Sequence, residues 1–302
     1  MFWLLAACLL WGPSFGLTPI LMGEKAGQYG MDPYLLSVLR MLFSFILFAP
    51  LMSGQKISLR RKGQLAMLGG LQFGLMYLAL FVSYRFMTGY EVALVTIFTP
   101  IYVSLLDNYL TKNTFKLQPV LCVLLAVIGA GIIRYAKPDL DGEFWIGFGI
   151  MQLCNLSFAL GQVLYRRMMK SSEKLDDMHA FGWMYLGALL VTLIGWGALA
   201  PIKDSLQNLQ QLPLSAWGII LWLGLIPSGL AFFMFNHGAL QVDGATLAII
   251  NNVKIPVALI IVLLFFRQSD VIDSWGRFSI GTLFMLGALW LNQRPLSRLW
   301  IR

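Results

Sequence analysis

Lys254 stands in the stretch "IINNVKIPVAL", residues 249–259, inside a segment that is otherwise apolar. Within an apolar run over 243–266 it lies 11 residues from one end and 12 from the other. At the helical rise per residue this is roughly 16–18 Å from either membrane surface, too deep for the ammonium to snorkel out along its stem. Such a cation must face protein or water. By i, i+3, i+4 spacing, Ala248, Asn251, Lys254 and Ala258 share one helical face, which sets an amide beside the ammonium. Pro256 follows; it lacks an N–H, so the carbonyl of Asn252 is expected to lose its helical partner and become available to water or ligand. Pro100 is expected to do the same for Thr96. A cation, an amide and a released carbonyl together can recognise a carboxylate.

No carboxylate shares that depth: Glu91, Asp107 and Asp243 all fall within a few residues of the ends of their runs. Ser14, Gln72, Asn155 and Ser228 lie at middle depths and offer uncharged donors and acceptors. A midplane cation ringed by neutral groups suits an anionic substrate. Arg40, about one third of the way into its run, can snorkel, pair with Glu91, or join the site. Trp11 and Tyr77, with Tyr84, Tyr102 and Trp222, are candidates for an aromatic wall, against the plainer roles of packing and interfacial belt. The expected substrate-binding set is Lys254, Asn251, Asn155, Gln72, Trp11, Tyr77, Ser228 and Arg40, with Pro100 and Pro256 as hinges.

The elements that must position these residues follow from the apolar runs. The 302 residues are 58% hydrophobic and 12% charged, whereas a soluble domain carries about 25% charged residues. Runs long enough to cross a bilayer fall near 2–23, 33–53, 63–86, 89–111, 117–136, 143–166, 180–201, 214–236, 243–266 and 275–293. Short connections hold most of the charge, and the N-terminal run lacks the basic region and small-residue site of a cleaved signal. With the N-terminus inside, thirteen Lys and Arg fall on the cytoplasmic side and seven outside, with Arg40 and Lys254 left within spans. This distribution predicts both termini in the cytoplasm.

The halves resemble each other. "LGGLQFGLMYLALFVSYRFM" (68–87) aligns with "WLGLIPSGLAFFMFNHGAL" (222–240), and the runs that follow place Pro100 against Pro256. A five-span repeat has an odd number of crossings, so its second copy must be inverted. The expected fold is an all-α integral membrane protein of ten transmembrane helices in two inverted five-helix repeats, 1–136 and 143–293, with a site near the midplane. The pairs Gly12–Gly16, Gly70–Gly74 and Gly224–Ser228 are expected to allow close helix contact within the chain.

With "LLWGPSFG" in the first span, "LSVLRMLFSF" in the second, and the paired "TP" and "IP" spans, the chain resembles the EamA-type members of the drug/metabolite transporter superfamily. The resemblance covers nearly the whole chain. It implies a ten-helix exporter or exchanger of small metabolites, often amino acids or their relatives, in a bacterial inner membrane. One family feature, a Leu-Gly-Glu-like end to the fourth and ninth spans, is replaced by "LTKN" (110–113) and "FRQS" (266–269), so no role for that glutamate is carried over.

Other classes are disfavoured by what the sequence lacks. There is no P-loop, no metal-ligand spacing and no nucleophile–base set at one depth, so neither ATP hydrolysis nor a membrane-embedded enzyme is expected. Cys8, Cys122 and Cys154 all lie in apolar runs and are expected to be small buried hydrophobes. The net charge of +8 is spread over short loops, so no nucleic-acid partner is expected, and no cofactor either. The expected partners are the bilayer and a small carboxylate-bearing substrate, carried by a monomer or a homodimer. A non-transporting receptor or scaffold leaves the midplane lysine unexplained. An exporter of cationic drugs would want a midplane carboxylate.

Overall fold

The computed structural model describes residues 1–22, 29–87, 92, 95–107, 109–110, 117–133, 142–170, 175–266 and 275–292, and it is all-helical over them. We number the helices α1 (Phe2–Leu21), α2 (Pro33–Ser53), α3 (Leu59–Ser83), α4 (Thr96–Asp107), α5 (Leu117–Ile133), α6 (Gly142–Met169) and α7 (Asp177–Leu199). They continue with α8 (Ile202–Gln211), α9 (Leu214–Leu240), α10 (Gly244–Phe266) and α11 (Trp275–Asn292). Among the described residues six of these, α1, α2, α3, α6, α7 and α9, are long and apolar enough to cross a membrane; α4 and the 120–132 part of α5 are shorter apolar helices. Six long spans are fewer than the ten runs read from the sequence.

Local chemistry sets the helix starts. Asp32 accepts from the Leu35 N–H at 2.9 Å and Pro33 opens α2, while Asp243 Oδ1 takes the N–H groups of Ala245 and Thr246, both at 3.0 Å, to start α10. Gly12 and Pro13 break α1 into two pieces. The sequence did not single out α8, an amphipathic surface helix pinned by Asn208 Nδ2 to the Tyr29 carbonyl at 3.1 Å. The run expected over 63–86 begins four residues earlier at Leu59, and the run over 143–166 continues to Met169.

Packing recurs in matched pairs. α3 and α9 are each interrupted at mid-length by a π-helical turn, Gly70–Leu75 in one and Gly224–Leu230 in the other. The turn in α3 packs on α7, and the turn in α9 packs on α2. Beyond the turns, α3 runs along α6 and α9 along α1; α10 lies on α1 and α4 on α6; α5 and α11 pack together. Small residues make the closest crossing possible. A Cβ on Gly69 would strike the backbone of Met184, and one on Gly187 the backbone of Ala66. Outward-facing positions such as Ile194, Leu199 and Leu283 stay apolar and exposed, which fits a hydrocarbon surround.

Candidate functional site

Arg40 is the centre of the site. It sits in the second turn of α2 with its side chain turned inward and only 3% of its surface exposed. It neither snorkels nor pairs with a carboxylate among the described residues, and Glu91 lies outside them. Nε donates to Ser228 Oγ at 2.7 Å, Nη1 to Thr18 Oγ1 at 3.3 Å and Nη2 to the Tyr77 hydroxyl at 3.0 Å. The ring of Tyr77 lies 4.7 Å from the guanidinium carbon and that of Phe81 5.4 Å, so aromatic faces supply part of the solvation that water would give. Three neutral oxygens and two rings hold a full positive charge in the middle of the protein.

The guanidinium borders a cavity with about 830 Å³ of atom-free space, part of it open to solvent. α1 contributes Trp11, Ser14 and Thr18, and α3 contributes Met76, Tyr77, Leu80 and Phe81. Thr96 and Thr99 come from α4, Cys154, Asn155 and Phe158 from α6, and Phe232 from α9. The walls are mainly aromatic and aliphatic, with polar groups at two places: the Arg40 cluster, and an amide cluster opposite. There Asn155 Oδ1 accepts from Thr99 Oγ1 at 2.9 Å, and its Nδ2 donates to the Val95 carbonyl at 2.9 Å.

Four of the residues expected at the site from sequence, Arg40, Trp11, Tyr77 and Asn155, line this cavity, and Ser228 touches it through Arg40. Ser228 lies in the π-helical turn of α9, whose carbonyls are captured from outside: Trp11 Nε1 donates to Pro227 at 2.8 Å, and the Tyr185 hydroxyl binds Ser228 and Gly229. Gln72 is elsewhere. It exchanges two hydrogen bonds with Asn236, at 3.0 and 3.2 Å, and this buried amide pair ties α3 to α9. Asn251 is buried on α10 and is not among the residues around the cavity. Lys254 lies within the helical range of α10, but its side chain falls outside those described.

The proline expectations divide. Pro256 lies inside α10, which continues on both sides of it. Pro100 instead opens the first turn of the α-helical part of α4, after a 3-10 turn over Thr96–Phe98. The Thr96 carbonyl is not released, because the Thr99 N–H bonds to it. Of the candidates for an aromatic wall, Trp11, Tyr77 and Tyr84 line the cavity, whereas Trp222 and Tyr102, which donates to Gln152 Oε1 at 2.9 Å, are not among its lining residues.

A vestibule adjoins the cavity at one end of the helices, and a buried ion-paired cluster stands at the other. Tyr84, just past the end of α3, lines both the cavity and a wider vestibule formed with Asp32, Arg85, Asp204 and Asn208. At the far end Arg166 joins three elements. Its Nη1 meets Asp107 Oδ1 at 2.7 Å, its Nε the Ala239 carbonyl at 2.9 Å and its Nη2 the Val242 carbonyl at 2.6 Å. Arg166, the last residue of the run expected over 143–166, is thus a buried member of α6, its side chain 6% exposed against 5% for Asp107. Gly244 packs directly on that aspartate.

Known proteins similar to this chain in sequence are transporters. The EamA-like transporter family model matches residues 1–135. The biotin transporter of Escherichia coli strain K12 is 35% identical over 96% of this chain and 92% of its own length. The probable biotin transporter of Pseudomonas aeruginosa is 37% identical over 97% of both. A crystal structure covering 99% of this chain and 98% of its own superposes with a TM-score of 0.77 at 15% identity, a likeness of fold alone.

Proposed function

From the premise that this chain belongs to the EamA-like transporter family of the drug/metabolite transporter superfamily, we propose that it carries small organic acids of the biotin type across the bacterial inner membrane. It is a multi-pass small-molecule transporter, not an enzyme. The observation that carries the substrate reading is Arg40, a buried cation on the cavity wall with only neutral partners among the described residues. A buried charge left without a counter-ion is costly. A substrate carboxylate supplies the missing charge and forms the strong, charge-assisted hydrogen bonds that a guanidinium makes best. The apolar and aromatic walls suit the uncharged body of such an acid. The relatives' substrate, biotin, is a monocarboxylic acid of that description.

Transport is proposed to run by alternating access between two inverted five-helix repeats, 1–136 and 143–293. The π-helical turns at matching places and the paired packing support this architecture, with ten crossings in all. The vestibule end is then the outward face and the Arg166 end the cytoplasmic one. Arg61, whose Nη2 reaches the Met168 carbonyl at 3.5 Å, stands at that second end with Arg60 and Lys62, as the excess of basic residues on cytoplasmic loops requires. Both termini are assigned to the cytoplasm. Pro256 is assigned as a hinge within α10.

Counterflow of radiolabelled biotin in proteoliposomes tests the reading without assuming a direction. Arg40→Gln keeps polarity and removes the charge. We expect the KM for biotin to rise about tenfold to a hundredfold, the equivalent of one hydrogen bond to a charged group. Unchanged KM and rate in a well-folded Arg40→Gln protein would refute the assignment of the carboxylate to this residue.

A further inference from the structure

Arg40 is held along one edge of its guanidinium. Ser228 Oγ takes the Nε hydrogen at 2.7 Å, the Tyr77 oxygen takes one from Nη2 at 3.0 Å, and those two oxygens are bonded to each other at 3.0 Å. A guanidinium has five N–H donors fixed in one plane. With Thr18 engaging Nη1 at 3.3 Å, three are used and two remain, one on each terminal nitrogen. Arginine receives carboxylates on two forks, the side-on pair of Nε with Nη2 and the end-on pair of Nη1 with Nη2. The first is filled by Ser228 and Tyr77. On the second, beside the bond that Thr18 takes from Nη1, each terminal nitrogen keeps one hydrogen without a partner among the described residues.

The filling groups are themselves fixed. Ser228 sits in a π-helical turn, a device that interrupts α-helices mostly at functional sites. The turn is fastened by Trp11 at the Pro227 carbonyl and by Ser44 Oγ, which donates to Gly224 at 2.8 Å. Tyr77 supports the guanidinium twice, with its hydroxyl at the edge and its ring under the plane. A pair that merely solvated the charge would need no such fastening from two other helices.

We infer that Ser228 and Tyr77 are positioning residues: they occupy the side-on fork of Arg40, so that the substrate carboxylate docks end-on across Nη1 and Nη2. The inference rests on the carboxylate reading above. It fixes the approach of the acid group and so directs the substrate body along the apolar wall of Phe81 and Phe158, toward Asn155. Neither residue carries charge, so each acts through the arginine.

The test compares biotin with its uncharged amide in the counterflow assay, using Ser228→Ala and Tyr77→Phe, each of which removes only a hydroxyl. In both variants the KM for biotin should rise about tenfold while turnover at saturation changes little. The preference for biotin over the amide should fall by a similar factor. A purely structural role would instead lower the amount of folded protein and weaken acid and amide alike, and that result overturns the inference. Arg40→Gln separates the two levels. If it alone destroys the acid preference and both hydroxyl variants keep their KM within about twofold, the carboxylate reading stands and the end-on inference fails. If Arg40→Gln also leaves the preference intact, both fail together.

Discussion

Breaking the Arg166–Asp107 pair is the sharpest physical test of how the Arg166 end is held. Both side chains are about as buried as the core, at 6% and 5% exposure. Arg166→Met therefore strands a carboxylate, and Asp107→Asn strands a guanidinium, away from water. Removing one partner of such a pair costs about 3–5 kcal/mol, because the remaining charge has lost its solvation and its counter-ion. Replacing both partners by apolar groups of similar volume is often close to neutral, since neither desolvation penalty is then incurred. Reversible unfolding in mixed micelles gives the double-mutant cycle for Arg166→Met, Asp107→Leu and the two combined. Each single variant should be destabilised by several kcal/mol and the double variant much less than their sum.

The same numbers bear on the conformational equilibrium. The pair joins α4 to α6, and the two carbonyl bonds of Arg166 add the junction of α9 and α10. Any state open at this end must part these groups. Losing even about 3 kcal/mol from the closed state shifts its population against the open one by about two factors of ten. A cysteine placed at Gln162, one turn before Arg166 on the same helical face, should then react faster with membrane-impermeant thiol reagents added from the Arg166 side. Additive destabilisation of less than about 1 kcal/mol per variant, of the size seen for exposed pairs, together with unchanged labelling, would refute the reasoning.

Two further perturbations follow from packing. Gly187→Ala should prevent assembly of α7 against α3, because the added methyl meets the Ala66 backbone, which cannot move aside as a side chain can; loss of monodisperse protein in size-exclusion chromatography is the readout, and normal yield would contradict it. Pro256→Ala should leave melting temperature unchanged or raise it by restoring a backbone hydrogen bond within α10. Turnover in counterflow should nevertheless fall, and full turnover per molecule would remove Pro256 from the cycle.

Much of this was legible in the sequence, and the omissions have physical causes. The apolar runs locate the helices because hydrocarbon tolerates few other sequences, and the pair Gly70–Gly74 lies, as expected, in close contact with α7. The ends were less legible. Arg166 closes the run drawn over 143–166, and a charge at the end of a run gives no sign that it turns inward to meet Asp107. The π-helical turns are a matter of hydrogen-bond register, which "GLQFGL" and "GLIPSGL" do not announce. The surface helix α8 has too little apolar length to be read as a span. Gln72 was read by its depth, but depth does not reveal which neighbour faces an amide, and here that neighbour is Asn236, with which it exchanges two hydrogen bonds.

Arg40 shows what depth counting passes over. Ser37, Arg40 and Ser44 recur at i, i+3 and i+7 on an otherwise apolar helix, and a polar stripe of that spacing faces protein, since lipid would leave the guanidinium at its centre unpaired. Both hydroxyls do bond to backbone: Ser37 to Pro33 at 2.9 Å, Ser44 to Gly224 at 2.8 Å. The stripe therefore predicts burial of Arg40, although it says nothing of a counter-ion. That distinction needs the fold. Arg166 is equally buried but meets Asp107 and two carbonyls, so its charge is answered from within and it can only fasten. Arg40 meets three neutral oxygens beside a cavity and no carboxylate among the described residues, so on the proposed reading its charge is answered when an anionic substrate enters. Two arginines of one chain thus take opposite roles, and what separates them is whether the tertiary structure brings a carboxylate of its own.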